Sequence, residues 1–210
     1  MRYEKKYRID GLPEAWVLQA IRMHPAGFQS LFPPRQVNNI YFDTPDLDAF
    51  QQNTAGVVNR RKHRLRWYGT DYATLHDPVF EIKIKDGEMG TKENTALPTT
   101  QWTSLRNTFK QIDALKYLPQ RPVLVNRYQR TYWGSQDGRF RITVDQNLQF
   151  APFSWVAPPG NSQFLTDQAI VLELKYDLTD DNDAQFIFQH LPFRQTKNSK
   201  YVTGINLIYG

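Results

Sequence analysis

Five short segments of this chain alternate apolar and charged residues with a period of two. In FEIKIK, residues 80–85, the charged side chains of Glu81, Lys83 and Lys85 alternate with two isoleucines. The same pattern recurs in YEKKYRI (3–9), NRRKHRLRWY (59–68), RFRITVD (139–145) and VLELKY (171–176). Successive side chains of a β-strand point to opposite faces. The pattern therefore predicts strands that each carry one apolar and one charged face.

Strands dominate the predicted secondary structure. The predicted strands are Arg2–Ile9, Arg35–Asp43, Gly56–Tyr68, Pro78–Lys85, Thr91–Leu97, Val123–Trp133, Arg139–Asp145 and Ala169–Tyr176. The predicted helices are Pro13–Met23, Asp46–Gln52, Thr100–Ile112, Asp181–Leu191 and a last helix that Ser199 would cap. The Pro-rich segment Ala151–Asn161 is predicted to be a loop. Many antiparallel strands with few helices indicate a mainly β, α+β protein, built as a sandwich or a barrel.

The charged faces decide between these two architectures. A sandwich would expose them to water, whereas a barrel with its apolar face outward would enclose them. The faces are mostly basic, and like charges on adjacent strands destabilise a sheet unless an anion lies between them. This favours a barrel of antiparallel strands with peripheral helices outside it and a basic tunnel for a polyanion inside.

Composition narrows the class of protein further. The net charge of +5 and the isoelectric point near 9.3 favour an anionic partner. Cysteine is absent, which excludes disulfides and thiolate metal sites. The charged start MRYEKKYRID predicts no signal peptide, and we expect a cytoplasmic protein. No composition break or repeat divides the chain, so residues 1–210 are predicted to form one domain.

Several common functional motifs are missing. The four histidines at positions 24, 63, 76 and 190 lack metal-ligand spacing. The sequence contains no GxxxxGK[ST], GxGxxG or GxSxG motif. Bound phosphate would therefore be held by Lys and Arg side chains rather than by a glycine-rich loop.

Eight segments together resemble the VTC domain, the polyphosphate polymerase domain of the vacuolar transporter chaperone complex. They are, in order, RYEKKYRI, NNIYFDTPDLDAF, RLRWYG, FEIKIK, NRYQRTYW, RFRITVD, VLELKYD and TKNSKYVTGI. The wider superfamily, the triphosphate tunnel metalloenzymes, includes CYTH-type triphosphatases and adenylate cyclases. The resemblance implies an eight-stranded barrel whose bore holds a triphosphate or polyphosphate with Mg²⁺ or Mn²⁺.

The resemblance also implies roles for individual residues. It implies phosphate-binding, catalytic roles for Lys6, Arg64, Arg66, Lys83, Arg130 and Arg141. It implies substrate-binding roles for Lys92, Lys197, Ser199 and Lys200, although Lys197 and Lys200 are alternatively polar residues at the start of a helix. Glu173 matches the metal-binding carboxylate. Glu4 and Glu81 face the inside of the predicted barrel by alternation. They either join the metal shell or orient basic neighbours.

The implied activity is transfer of the γ-phosphoryl group of ATP to a growing polyphosphate chain. Attack by water would instead make the protein a triphosphatase or polyphosphatase, and a site without turnover would make it a polyphosphate- or nucleotide-binding module. The resemblance further implies a separate membrane protein as partner, with this chain peripheral to a membrane complex. Binding of nucleic acid, with bases stacked on Trp67, Tyr68, Tyr132 and Trp133, is disfavoured because the sequence lacks a known nucleic-acid motif.

Overall fold

The computed structural model describes residues 2–86, 89–116 and 119–210. Its strands are β1 Arg2–Ile9, β2 Gln29–Asp43, β3 Arg60–Tyr68, β4 Thr74–Leu75, β5 Val79–Asp86, β6 Met89–Ala96, β7 Thr100–Gln101, β8 Arg121–Gly134, β9 Arg141–Pro152, β10 Leu165–Asp167 and β11 Ile170–Asp177. Its helices are α1 Glu14–Arg22, α2 Asp48–Thr54, α3 Leu105–Lys110, α4 Asp113–Lys116, α5 Asp181–Gln189 and α6 Lys200–Tyr209. In the part of the chain that is described, no helix is both long and apolar enough to cross a membrane.

The described strands form a mainly antiparallel sheet. Its order is β1-β11-β9-β8-β2-β3-β5-β6, with β10 beside β9, and β4 pairs with β7 in a separate ribbon. The ladders whose register is known, β1 with β11, β11 with β9, β2 with β3, β3 with β5 and β5 with β6, are all antiparallel. The prediction of a mainly β, α+β protein is confirmed. The closed barrel and its tunnel stay predictions.

The chain divides into two compact units. Unit 1 comprises Met1–Arg35, Tyr128–Leu148 and Asp167–Asn198, and unit 2 comprises Gln36–Arg127, Gln149–Thr166 and Ser199–Gly210. The chain passes from one unit to the other within β2, β8, β9 and β10, and once more between residues 198 and 199. The single domain over residues 1–210 stays a prediction.

Each unit has its own apolar core, built from alternate strand residues. In unit 1 the core contains Tyr7, Ile142 and Leu172 from the strands, together with Val17 of α1 and Ile187 of α5. In unit 2 it contains Ile40, Phe42, Leu65, Trp67 and Phe80, which pack with Trp102, Leu105 and Phe109. The predicted apolar faces of the strands are therefore confirmed as core faces. The charged residues that alternate with them point to the other side of each strand.

The YFDTP segment, part of the resemblance described above, has a structural role in unit 2. Asp43 Oδ1 accepts hydrogen bonds from the backbone N–H groups of Thr44 at 2.8 Å and Ala49 at 2.9 Å. Asp43 Oδ2 accepts from Phe50 N–H at 3.1 Å and from the Tyr201 hydroxyl. Burial and this carboxylate raise the pKa of Tyr201. One buried carboxylate thus ties α2 and α6 to the end of β2.

Several predicted boundaries need correction. The strand predicted from Arg35 begins at Gln29 instead. Its first part contains Pro33 and Pro34, which have no backbone N–H group to donate, and both are exposed, as proline in a strand usually is. The strand predicted to end at Asp145 continues to Pro152, past a positive φ of 53° at Asn147. The predicted helix Thr100–Ile112 is helical only from Leu105 to Lys110, after the short strand β7 and a 3₁₀ turn. The short strands β4, β7 and β10 were not predicted.

Candidate functional site

The polar face of unit 2 carries a carboxylate surrounded by three cations. Glu81 on β5 is only 4% exposed. Its Oε2 accepts a hydrogen bond from Arg64 Nε, and its Oε1 forms ion pairs with Lys92 Nζ and, at 3.6 Å, with Arg66 Nη1. Arg64 and Glu81 are direct partners in the β3–β5 ladder. The register of three strands therefore brings these four predicted site residues together.

The ion pairs determine the protonation of this group. Burial by itself raises the pKa of Glu81, but the charges of Arg64 and Arg66 and the bond from Lys92 outweigh it and lower the pKa to about 2. Burial lowers the pKa of Lys92, and its contact with Glu81 opposes that effect. Glu81 is consequently an anion throughout the physiological pH range.

A buried amide chain fixes the orientation of Arg66. Its Nε donates a hydrogen bond of 3.1 Å to Asn39 Oδ1, and Asn39 Nδ2 donates at 3.2 Å to Asn126 Oδ1. Asn126 in turn donates to the carbonyl oxygen of Gln149 at 3.1 Å. Both asparagines are fully buried. Sequence reasoning did not identify them, although Asn39 shares its strand face with Tyr41 and Asp43 by alternation.

Three lysines lie side by side on the same face of unit 2. Lys83 of β5 is paired in register with Lys62 of β3 on one side and with Lys92 of β6 on the other. Like charges directly opposite each other destabilise a sheet. The arrangement is suited to an anion that lies across the three strands.

The start of α6 contributes further polar groups to unit 2. Lys62 Nζ donates to Ser199 Oγ at 2.9 Å, and Asn53 Nδ2 approaches the same oxygen at 3.4 Å. Ser199 also caps α6, because its side chain accepts from Val202 N–H at 3.5 Å, which confirms the predicted cap. Lys200 is buried, whereas Lys197 is exposed and belongs to unit 1.

The polar face of unit 1 carries two carboxylates that share two lysines. Lys6 Nζ lies 2.9 Å from Glu4 Oε1 and 3.6 Å from Glu173 Oε1. Lys175 Nζ lies 3.7 Å from Glu4 Oε2 and 3.6 Å from Glu173 Oε2. The β1–β11 register produces this crossed pattern, because Lys6 pairs with Glu173 and Glu4 with Lys175. Lys175 was placed on the charged face by alternation but was not predicted as a site residue.

Arg130 is the most deeply buried cation of unit 1. Its Nη2 donates to Asp145 Oδ2 at 2.6 Å, its Nε donates to Asp145 Oδ1, and Nη2 lies 3.7 Å from Glu173 Oε2. Burial disfavours the charged guanidinium, but Asp145 outweighs this effect and raises the pKa of Arg130. The guanidinium thus holds two carboxylates in place. Arg141 is exposed at the start of β9, where it pairs in register with Lys175.

The donors around Glu173 suit a hard divalent cation. Among the described residues no group of three His, Asp or Glu side chains is arranged to hold a metal ion alone. Mg²⁺, however, is commonly bound by one or two carboxylates plus phosphate oxygens and water. Glu4 and Glu173 supply two carboxylates, and Thr143, opposite Glu173 in the β9–β11 ladder, has a buried Oγ1 with no partner in the described part of the chain. These residues fit Mg²⁺ or Mn²⁺ bound together with a phosphate ligand.

The predicted site residues are divided between the two units, and each unit has one cluster, around Glu173 in unit 1 and around Glu81 in unit 2. Unit 1 holds Glu4, Lys6, Arg130, Arg141, Glu173 and Lys197, and unit 2 holds Arg64, Arg66, Glu81, Lys83, Lys92, Ser199 and Lys200. Within unit 1, Lys6 and Arg130 both contact Glu173, and within unit 2 three basic residues converge on Glu81. Their roles toward phosphate and metal stay predictions.

Comparisons with known proteins agree with this fold. The family model of the VTC domain matches residues 2–209. No curated protein sequence matches the chain significantly. Three solved structures share its fold with low sequence identity. A candidate adenylate cyclase from Vibrio parahaemolyticus is 15% identical, with a TM-score of 0.56 and coverage of 96% of this chain and 97% of that one.

The other two structures are similarly distant. A candidate adenylyl cyclase from Hippeastrum, described as having a dominant triphosphatase activity, is 13% identical, with a TM-score of 0.57 and coverage of 99% of this chain and 97% of that one. The PH1819 protein from Pyrococcus horikoshii is 12% identical, with a TM-score of 0.53 and coverage of 97% of each chain.

Proposed function

Because the chain belongs to the VTC domain family, we propose that it binds triphosphate and polyphosphate and transfers the γ-phosphoryl group of ATP to a growing polyphosphate chain. An oxygen of the terminal phosphate of the chain forms a new bond to the γ-phosphorus. The bond between that phosphorus and the bridging β–γ oxygen breaks, and ADP leaves. The polymer grows by one phosphate in each cycle.

The observation that carries this proposal is the density of basic groups on the polar strand faces. Lys62, Lys83 and Lys92 lie in one row across three strands, and Arg64 and Arg66 lie on the same face of β3. Arg binds phosphate oxygens through two parallel N–H donors, and Lys does so as a point charge. Phosphoryl transfer requires little covalent chemistry from the protein, so positioning and charge neutralisation supply most of the rate.

Individual residues have distinct tasks in this proposal. Arg66, whose direction is fixed by Asn39, and Arg64 hold non-bridging oxygens and stabilise the negative charge that spreads over them in the transition state. Lys83 lies between Lys62 and Lys92 and keeps adjacent phosphates in line. In unit 1, Lys6 and Lys175 balance the charges of Glu4 and Glu173.

Glu173 and Glu4 would hold Mg²⁺ or Mn²⁺, which when bound supplies Lewis-acid neutralisation of phosphate oxygens. Arg130 keeps the Glu173 carboxylate on the polar side of β11 through its 3.7 Å contact. The metal dependence of the reaction is part of the proposal.

Hydrolysis is the second candidate function. The structural relative from Hippeastrum is described as a triphosphatase, and it covers 99% of this chain. The same residues would bind the substrate, and water would replace the terminal phosphate as nucleophile. The bond to the bridging β–γ oxygen of ATP would again break, and the products would be ADP and orthophosphate.

Analysis of the products from ATP separates the two reactions. Purified protein is incubated with ATP and Mn²⁺ or Mg²⁺, and the phosphorus species are followed by ³¹P NMR. We expect resonances of internal polyphosphate residues to grow as ADP accumulates. ADP and orthophosphate as the only new species would establish the hydrolase instead, and unchanged ATP after long incubation would contradict both enzymatic functions.

A further inference from the structure

The two carboxylates at the centres of the clusters are held very differently. Glu173 lies 3.6–3.7 Å from its three cations, which is longer than a hydrogen bond. Glu81 forms a direct hydrogen bond with Arg64 and a close ion pair with Lys92, in addition to its contact with Arg66. Both oxygens of Glu81 are thus engaged by cations at close range.

The bonding of Glu81 resembles that of a bound phosphate. Its two oxygens contact two guanidinium groups and a lysine, which are the groups that recognise phosphate oxygens in proteins. Its side chain is 4% exposed, whereas that of Lys92 is 39% exposed and so accessible to a ligand. A phosphate that approaches this face meets Arg64, Arg66 and Lys92, all of which already contact the carboxylate of Glu81.

We propose that Glu81 is a built-in counter-ion that competes with phosphate oxygens for Arg64, Arg66 and Lys92, and so limits how tightly triphosphate and orthophosphate bind. This inference rests on the proposed function, since it assigns the regulation of affinity at the same site. A face with several uncompensated cations would retain any phosphate that it bound. Glu81 neutralises part of that charge while the site is empty and recombines with the cations when the product leaves.

The alternative role in the metal shell is less consistent with this geometry. A metal ion at Glu81 would lie against Arg64, Arg66 and Lys92, all positively charged. Glu4 and Glu173, by contrast, are two carboxylates that contact the same lysine, Lys6, and together they suit a divalent ion. Glu81 is therefore assigned the role of counter-ion, and the metal is assigned to the carboxylates of unit 1.

The replacement Glu81→Gln tests the inference, because it retains the shape of the side chain and removes the charge. We expect inorganic tripolyphosphate, titrated calorimetrically, to bind roughly tenfold more tightly, the effect of one charged hydrogen bond. Orthophosphate is expected to become a stronger inhibitor by a similar factor. With ATP, both KM and kcat are expected to fall, because product leaves more slowly.

Glu81→Asp is the matched control, since it retains the charge, and its affinity is expected to stay near that of the wild type. Weaker binding by Glu81→Gln with recovery in Glu81→Asp would overturn the inference, because Glu81 would then only position its neighbours. The calorimetric result is independent of turnover. Tighter binding by a protein that makes no polyphosphate would support the counter-ion and contradict the polymerase.

A measurement on the wild-type protein covers the case in which Glu81→Gln does not fold. The ¹³C resonance of the Glu81 carboxylate is followed while tripolyphosphate is added to saturation. We expect it to shift, because the carboxylate loses the hydrogen bond from Arg64. A resonance that stays in place at saturation would show that phosphate does not displace Glu81, and would refute the inference.

Discussion

Replacement of Glu173 by Gln is expected to lower the metal-dependent turnover of ATP by about 100-fold or more, as is usual when a central electrostatic group is removed from a catalytic site. Glu173 is 8% exposed and lies between Lys6, Arg130 and Lys175. The neutral amide retains the shape of the side chain and loses the charge that attracts a divalent ion. Initial rates measured over a range of Mn²⁺ concentrations check this, with the apparent metal affinity expected to fall together with the rate.

The matched control is Asp177→Asn on the same strand. Asp177 is exposed at the end of β11 and shares a strand face with Glu173 by alternation. We expect this variant to retain most of the activity and an unchanged metal titration. If Glu173→Gln kept the wild-type metal dependence, the assignment of Glu173 as a metal ligand would be wrong.

Replacement of Arg130 by Ala is expected to reduce the free energy of unfolding by about 3–5 kcal/mol at neutral pH, the usual cost of removing one partner of a buried ion pair. Asp145 is fully buried, and Arg130 donates a hydrogen bond to each of its two carboxylate oxygens. Without the guanidinium, an uncompensated carboxylate remains in the interior, and its pKa in the folded state rises above the unfolded value. The folded state then binds more protons than the unfolded state, so stability should increase again as the pH falls.

Urea unfolding of Arg130→Ala at pH 7 and pH 5 measures both effects. The control is Arg139→Ala in the same unit. Arg139 has more acidic partners than Arg130, namely Asp137, Asp180 and Asp183, but its side chain is 45% exposed. Exposed ion pairs contribute little to stability. We expect this control to unfold almost like the wild type. Equal losses for the two variants would contradict the assignment of Arg130 as a buried anchor.

Alternation along the strands predicted the faces of the sheet because it depends only on local backbone geometry. Ile82 and Ile84 were predicted to pack in a core, and Ile82 packs against the core of unit 2. Lys83 and Glu81 were predicted on the opposite face. The prediction required no knowledge of which strands are neighbours, since each of the five alternating segments carries its own pattern.

The partners of the site residues could not be predicted in this way. Glu81 meets Arg64 through the register of β3 and β5 and meets Lys92 through that of β5 and β6, and neither register is encoded in a short segment. The pair of Arg130 and Asp145 likewise joins two strands. The buried amide chain of Asn39 and Asn126 was missed because asparagine in a sequence usually indicates a turn.

Secondary structure was hardest to predict where proline or polar runs interrupted the alternation. The first part of β2 was not predicted because it contains Pro33 and Pro34, although an exposed strand tolerates proline. The run Asp145-Gln146-Asn147 concealed the continuation of β9, in which Leu148 and Phe150 return to burial. Local propensity was overridden in both places by pairing with neighbouring strands.

The most direct test of the account is a comparison of two arginines on opposite faces of β3. Arg66 lies on the polar face beside Glu81, and Arg61 is an exposed residue on the other face of the same strand. Tripolyphosphate is titrated calorimetrically into the wild type, Arg66→Gln and Arg61→Gln in the presence of Mn²⁺. We predict that Arg66→Gln weakens binding by roughly tenfold or more, the effect of one lost charged hydrogen bond, while Arg61→Gln binds like the wild type. Equal weakening by the two variants, or no binding to the wild type, would contradict the claim that the polar strand faces bind triphosphate.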